Sequence, residues 1–151
     1  MAWFRIQLEP IEEAKYLASI PGIGWSTVAG LLAEIGPIDR YKHGRQLIKL
    51  AGTNPGRKQT GKSDPATHMT RRGRGRLRQL LYMSTLAAIQ HNPRLGAHYD
   101  RLISRGVRPL PKMAAIGACM NKLLLYAFAV MKNRQPFEID HRWKEVAGDA
   151  A

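Results

Sequence analysis

The chain has 151 residues, which suits one domain with a moderate core and leaves too little length for two compact domains. Its formal net charge of +13 predicts a polyanionic partner, because binding to phosphates releases counterions. The single cysteine, Cys119, excludes an internal disulfide and a cysteine-based zinc site.

The N-terminal third predicts two short helices. Residues 1–10 hold four apolar side chains in an order that fits either a short strand or a docking arm, and they lack the uninterrupted apolar core of a signal peptide. Residues 11–19 predict a helix with two glutamates in its first turn, where the helix dipole favours them. Residues 25–35 predict a second helix that ends at Gly36-Pro37.

The turn between these helices, Pro21-Gly22-Ile23-Gly24, resembles the helix-hairpin-helix motif of DNA repair and recombination proteins. In that motif, backbone N–H groups at a helix N-terminus bind a DNA phosphate without reading bases. The resemblance implies DNA contacts at Gly22, Ile23 and Gly24. The alternative is a plain turn between two helices, which Gly and Pro also favour.

Further helices follow, so the predicted fold is all-α, with a strand expected only near Met1 or within the central loop. They span residues 39–51, 77–91 (stopped by Asn92-Pro93), 94–105 (with Gly106 as C-cap) and 112–133. The last is expected to be a buried helix and not a membrane span, because Asn121 and Lys122 lie at its centre. Residues 135–151 form a polar tail in which the apolar residues Phe137, Ile139 and Trp143 could dock.

The central loop, residues 52–76, is the most basic part of the chain. Twelve of the 24 Lys and Arg residues lie between Arg40 and Arg78, opposed only by Asp64. Glycines and prolines keep most of the loop from being a regular helix. A Gly-rich backbone with many guanidinium groups suits a phosphate chain, although a solvated disordered loop is the alternative. The predicted DNA-binding cations are Arg57, Lys58, Lys62, Arg71, Arg72, Arg74, Arg76 and Arg78.

The loop also contains a match to the nucleotide-binding P-loop pattern at residues 56–63. A P-loop lies between a buried strand and a long helix, whereas here Pro55 precedes the match and Asp64-Pro65 follow it. Nucleotide hydrolysis is therefore the least favoured function. The carboxylates are scattered and the five histidines lack ligand spacing, so no metal site is predicted. Hydroxyls among the cations, Thr60 and Ser63 included, remain as nucleophile candidates.

Three segments taken together resemble the C-terminal transposase domain of the insertion-sequence 110/116/902 family. They are IPGIGWSTVAGLLAEIG, AGTNPGRKQTGKS and RRGRGRLRQLLYMSTLAAIQHNP, in that order, and the similarity covers about residues 17–134. The resemblance implies a recombinase that moves mobile DNA. In such proteins this domain carries a nucleophilic serine, an N-terminal RuvC-like domain carries four acidic metal ligands, and a bridge RNA chooses the sites in some members.

The sequence departs from the family pattern in two ways. Only some 16 residues precede the hairpin, so we expect the acidic domain to be absent from this chain, and Thr60 occupies the place of the serine before Gly61. Thr60 or Ser63 is then the candidate nucleophile. We expect no cofactor in this chain, and Mg²⁺ only with an acidic RuvC-like domain in another chain. The chain alone is expected to be inactive.

The sequence thus predicts a DNA-binding transposase or recombinase domain, a fragment or remnant with an N-terminal arm (residues 1–16), the hairpin motif (11–36), the central loop, a helical core (77–133) and a polar tail. The alternative is a non-catalytic nucleic-acid-binding module. Expected partners are DNA, a guide-type RNA and a second copy of the chain, with no membrane. The expected location is the bacterial cytoplasm, at the nucleoid.

Overall fold

Helices form most of the structure, a computed structural model that describes residues 2–56 and 68–139. Predictions that fall on residues 57–67 and 140–151, Trp143 included, lie outside these residues. The 3-10 helix Ile38–Arg40 precedes α4, and a two-residue strand β1 (Pro55–Gly56) pairs antiparallel with β2 (His68–Met69). The α-helices are α1 (Ala2–Leu8), α2 (Glu12–Ala18), α3 (Trp25–Ile35), α4 (Gly44–Ala51), α5 (Gly75–His91), α6 (Pro93–Ser104) and α7 (Lys112–Asn133). The all-α prediction is confirmed.

The long helix α7 lies at the centre of the fold and packs against α2, α4, α5 and α6. Its buried side chains include Leu123, Leu124 and Phe128, and its midpoint Asn121 donates a hydrogen bond of 3.3 Å to the carbonyl oxygen of Thr53. Within the described part of the chain, α7 is the one helix long and apolar enough to cross a membrane. Its position in the bundle is that of a core helix.

The predicted helices α2, α3, α5, α6 and α7 are confirmed, with bounds that differ by at most two residues. Asn92 ends α5 and also caps α6, where its side-chain oxygen accepts from the backbone N–H groups of Arg94 and Leu95 at 3.1 and 3.4 Å. The buried face of α5 contains Leu77, Leu81 and Ala88, as its periodicity predicts.

The single helix predicted over residues 39–51 is wrong in its first half. The chain forms the short 3-10 helix, turns through an extended Tyr41, and begins α4 only at Gly44. A side chain at Gly44 would lie 2.5 Å from Leu125 of α7, so glycine permits close packing of the two helices. The Gln46 side chain accepts the backbone N–H groups of Lys42 and His43, which fixes the start of α4.

Two further predictions need correction. For residues 1–10 the strand alternative is wrong: Ala2–Leu8 is a helix, and its contact with α3 agrees with the alternative of a docking arm. Gly106 is not the C-cap of α6: the helix ends at Ser104, and Arg105 leaves it in an extended conformation. The backbone N–H of Leu110 then bonds the carbonyl oxygen of Leu102, which satisfies one carbonyl of the last turn.

The beginning of the tail docks, as predicted for Phe137. Its ring is buried against Tyr126 with centroids 5.1 Å apart, and its backbone N–H donates to the hydroxyl of Ser19 at 2.8 Å. Ile139 remains exposed.

Candidate nucleic-acid interface

The second half of the central loop is held to the C-terminal end of α4 by backbone contacts. Gly52 adopts a left-handed conformation with φ of 72°, and its backbone touches that of Gly73 so closely that a side chain on either residue would clash. Across this contact, the N–H of Arg74 donates to Leu50 at 2.8 Å and the N–H of Arg71 donates to Gly52 at 3.0 Å. The arginines from residue 71 onward are therefore attached to the helical core, as the sequence predicts.

Four arginine side chains project from this anchored segment into solvent: Arg71, Arg72, Arg74 and Arg76. Arg78 is half-buried, and its guanidinium donates to the carbonyl oxygen of Ala51 at 3.1 Å. The carboxylate of Glu34, on the last turn of α3, faces the group and lies 3.7 Å from Arg74 and 3.9 Å from Arg76. Arg74 also donates to the backbone oxygen of Glu34 at 2.5 Å. These five arginines form the arginine cluster.

The arginine cluster lies at the N-terminal end of α5, against the usual electrostatic preference of a helix. The first turn of α5 contains no acidic residue, and its N-cap residue, Arg74, makes no side-chain cap. A helix N-terminus carries partial positive charge, so an added cation there costs about 0.3–1 kcal/mol and an anion gains a similar amount. The free N–H groups and the guanidinium groups therefore favour the same ligand, an anion such as a phosphate.

The two helices predicted on either side of the hairpin, α2 and α3, are present, and the two glycines between them have different surroundings. Gly22 has φ of 97° and packs against the backbone of Ala88 in α5, while Ile23 is buried in the core. Gly24 is exposed, has no atom within 4 Å of where a Cβ would lie, and occupies the N-cap of α3 without a side-chain cap. Of the three predicted DNA contacts in this motif, Gly24 alone offers an open surface at a helix N-terminus.

The hairpin and the arginine cluster lie at opposite ends of α3. Gly24 precedes its first turn, Glu34 lies in its last turn, and the rise of 1.5 Å per residue separates the two by about 15 Å. The helices α3 and α5 are antiparallel, since Gly22 contacts Ala88 near the end of α5 and Glu34 contacts arginines near its start. The two predicted phosphate contacts are therefore too far apart to involve the same phosphate.

Several predicted site residues lie outside the described residues. They are Arg57, Lys58, Thr60, Lys62 and Ser63, together with the rest of the P-loop-like pattern after Gly56. Their roles stay predictions. The strand pair β1–β2 brings the two ends of this segment together, and Thr70 closes its base by donating to Asn54 at 2.8 Å.

The described residues contain no group of three or more His, Cys, Asp or Glu side chains that could hold a metal ion. Two of the described histidines, His43 and His98, have structural surroundings. His43 is the N-cap of α4, and burial together with the nearby cations Lys122 and Arg101 lowers the pKa of His98. A lowered pKa keeps this imidazole neutral beside the two cations.

Sequence reasoning missed the role of Glu34. Its carboxylate belongs to α3, some forty residues before the arginines that it contacts. No spacing rule within one segment predicts such a pair, because it depends on the antiparallel packing of α3 on α5. The glycine spacing could have indicated this packing, since Gly30 leaves room for Leu80, which would lie 2.6 Å from an added Cβ.

A comparison with protein families decides the identity of the domain. The sequence model of the Transposase IS116/IS110/IS902 family matches residues 14–100, which is more than half of the chain. The chain belongs to this family. The matched residues include the hairpin motif, the arginine cluster and the helices α3 and α5 that connect them.

Curated relatives agree with this assignment. The "Pilin gene-inverting protein" of Moraxella bovis is 31% identical over 127 residues, 83% of this chain and 38% of the relative. The "Insertion element IS110 uncharacterized 43.6 kDa protein" of Streptomyces coelicolor is 32% identical over 90 residues, 60% of this chain and 22% of the relative. The "Transposase for insertion sequence element IS1111A" of Coxiella burnetii is 30% identical over 80 residues, which are 53% of this chain and 22% of the relative. The chain thus spans between about a fifth and two fifths of these relatives.

Proposed function

We propose that this IS110-family domain binds DNA for a transposase or recombinase reaction, and that it does so mainly through phosphates. The observation that carries the proposal is the arginine cluster, fixed by backbone hydrogen bonds at the uncapped N-terminus of α5. The names of the relatives, which include a transposase and a pilin gene-inverting protein, support a role in DNA rearrangement.

The anchoring of the arginine cluster favours a binding surface over the alternative of a solvated disordered loop. A free loop would lose conformational entropy on binding, at a cost of roughly 1–2 kcal/mol per ordered residue. Residues 71–74 are already ordered by the hydrogen bonds to Leu50 and Gly52, so this cost is largely avoided. Their positive charge at a helix N-terminus is locally unfavourable, and a bound phosphate would relieve it.

The test is the salt dependence of binding to duplex DNA by a two-site variant. Arg74 and Arg78 also hold the fold through backbone carbonyls, so the informative change is Arg71→Asn with Arg72→Ala. Asn tolerates the positive φ of 53° at residue 71. Each phosphate contact contributes about 0.9 to the slope of log affinity against log salt, so the slope should fall by about 1.8.

A control with the same charge change uses two exposed arginines far from the cluster in the chain, Arg5→Ala with Arg134→Gly. Glycine suits the φ of 51° at residue 134. The control should bind almost as the unchanged protein does. Binding that is insensitive to salt, or an equal loss in both variants, would contradict an interface at the arginine cluster.

Catalysis is a finer part of the proposal. A nucleophilic hydroxyl at Thr60 or Ser63 needs a base or a metal for activation, and the surrounding sequence supplies cations. In this proposal the acidic ligands for Mg²⁺ come from a RuvC-like domain in another chain. The alternative function, a non-catalytic nucleic-acid-binding module, is favoured by Thr60 at the place of the family serine.

Mass spectrometry of a trapped protein–DNA adduct separates these alternatives. In the presence of a complementing acidic domain, the DNA should be attached within residues 60–63, and Thr60→Ser should increase the yield by removing the β-methyl group. Attachment elsewhere would reject the assignment, and efficient cleavage by the chain alone would reject its dependence on an acidic domain. A guide-type RNA, a second copy of the chain and a location at the bacterial nucleoid belong to the same proposal.

A further inference from the structure

A groove of about 380 Å³ lies between α5 and the N-terminal half of α7, beside the arginine cluster. Its walls include Tyr82 and Gln79 from α5, Met113 and Ile116 from α7, and Met69 from β2. Met113 is 65% exposed and Tyr82 is half-buried, so apolar and aromatic surface is open to solvent. This volume is within the usual range of small-molecule sites, about 300–1,000 Å³.

The polar groups of the groove are cationic or neutral. Arg71 and Arg78 of the arginine cluster also line it, and no carboxylate of the described residues does. The guanidinium of Arg78 is held in place by the carbonyl oxygen of Ala51. Lys112 immediately precedes Met113 in the first turn of α7, so a cation lies next to the α7 wall in the sequence as well. The charge therefore complements an anion with an apolar, planar part.

We propose that this groove binds one unpaired nucleotide of a DNA strand. The base lies against Tyr82 and the methionine side chains, because aromatic rings and polarisable thioethers both form favourable contacts with π-faces. The phosphate lies against Arg71 and Arg78, and the Gln79 amide offers one donor and one acceptor to a base edge. The inference rests on the proposed DNA binding and adds a preference for unpaired nucleotides.

Two features favour a nucleotide over an apolar protein segment in this groove. An apolar segment would place Arg71 and Arg78 against a surface that cannot pair with them, and desolvating an unpaired cation is costly. The groove is also continuous with the arginine cluster through these same two residues, so a strand whose phosphates contact the cluster reaches the groove directly.

The test compares three DNA duplexes of equal length by fluorescence anisotropy, at one salt concentration, with the full chain. One duplex is fully paired, the second has a single-nucleotide bulge, and the third has an abasic site at the bulge. The protein should bind the bulged duplex about tenfold more tightly than the other two. A tenfold preference corresponds to about 1.4 kcal/mol, within the range of base–aromatic stacking.

Two variants assign the preference to the groove. Gly117 lines it within α7, and an added Cβ would lie in ordinary contact, 3.5 Å from Met69, so Gly117→Leu fills the groove without removing a core side chain. This variant should bind all three duplexes equally, with the affinity for paired DNA unchanged. The control is Met83→Ala, because Met83 is exposed on α5 and does not line the groove. The control should keep the tenfold preference.

The outcomes distinguish the two proposals. Absence of binding to any duplex would contradict the proposed function itself. Equal binding of the unchanged protein to bulged, abasic and paired DNA would overturn the groove proposal alone, as would a preference that persists in a folded Gly117→Leu protein. Circular dichroism and thermal unfolding verify that this variant is folded, and Gly117→Ala, which fills less of the groove, should keep part of the preference.

Discussion

Gly22 and Gly24 lie two residues apart in the hairpin and are glycines for different physical reasons. Gly22 needs its positive φ and its missing side chain, because Ala88 of α5 occupies the adjacent space. Gly24 has φ of −86° and open space around it, so any residue could adopt its conformation. Of these two glycines, Gly24 is the one at which a substitution would test contact with DNA without disturbing the fold.

Gly24→Val should therefore weaken DNA binding at unchanged thermal stability, since its side chain covers the N–H groups at the start of α3. Gly22→Val should instead lower the free energy of unfolding by about 2–4 kcal/mol, through backbone strain and overpacking against Ala88. Thermal unfolding and anisotropy titrations measure both effects. If Gly24→Val binds DNA as the unchanged protein does, the hairpin is only a turn.

Cys119 provides a prediction about pH at the same scale. Burial in α7 raises the pKa of this thiol to about 11. The folded state then keeps its proton at pH values where the unfolded thiol, with a pKa of about 8.5, has lost it. The unfolded state binds fewer protons in this window, so stability should fall as the pH rises from about 9 to 11.

The contribution of Cys119 is isolated by comparison with Cys119→Ala, because other groups also titrate above pH 9. The difference in the free energy of unfolding between the two proteins, measured with urea, should change with pH between 9 and 11. The native thiol should also react slowly with thiol reagents at pH 8, since the thiolate is the nucleophile. If this difference in the free energy of unfolding is constant with pH, burial does not raise the pKa of the Cys119 thiol.

At the scale of elements, Asn92 forms the junction between α5 and α6. Its buried side chain accepts the N–H groups of Arg94 and Leu95, and Pro93 supplies a preformed first turn. Asn92→Ala should lower the free energy of unfolding by about 1–2 kcal/mol, whereas Asn92→Ser should retain most of the cap. Chemical denaturation measures the losses, and equal losses in the two variants would assign the effect to packing instead of capping.

The extent to which the elements could be predicted depends on where their determinants lie in the chain. The bounds of α3 and α7 follow from local signals, a Gly-Pro stop after Ile35 and a Pro-rich segment before Lys112. The close packing of α4 on α7 at Gly44 involves Leu125, some eighty residues away. Likewise, the sequence identified the arginine cluster, but Glu34 and the groove arise from helix packing, which local patterns do not specify.

At the scale of the molecule, one core supports both predicted DNA contacts. The buried residues run from Ala14 in α2 to Phe137 after α7, so the hairpin and the arginine cluster are not on independent domains. Their separation of about 15 Å along α3 is thus fixed by the core. Variants that destabilise α7 should weaken both contacts together. The effects of Gly24→Val and of the Arg71/Arg72 change on the free energy of DNA binding should instead be additive.

The contact between Gly52 and Gly73 has a consequence for the way the chain can be divided. It joins the end of α4 to the residues that lead into α5, next to the strand pair and the Thr70–Asn54 hydrogen bond. The helices before and after residues 57–67 also pack on each other, α2 and α4 against α7 and α3 against α5. If the chain is divided between residues 57 and 67, the two resulting polypeptides should therefore assemble into one domain when they are expressed together.

This reassembly can be measured with a protease site inserted between residues 57 and 67. After cleavage, the two pieces should elute as one species in size-exclusion chromatography and separate in denaturant. Gly73→Val, which blocks the close approach to Gly52, should promote their dissociation, and Gly106→Val, at a glycine with open space, should not. If the two pieces of the protein without the Gly73→Val change separate after cleavage, the covalent link is needed to hold the domain together.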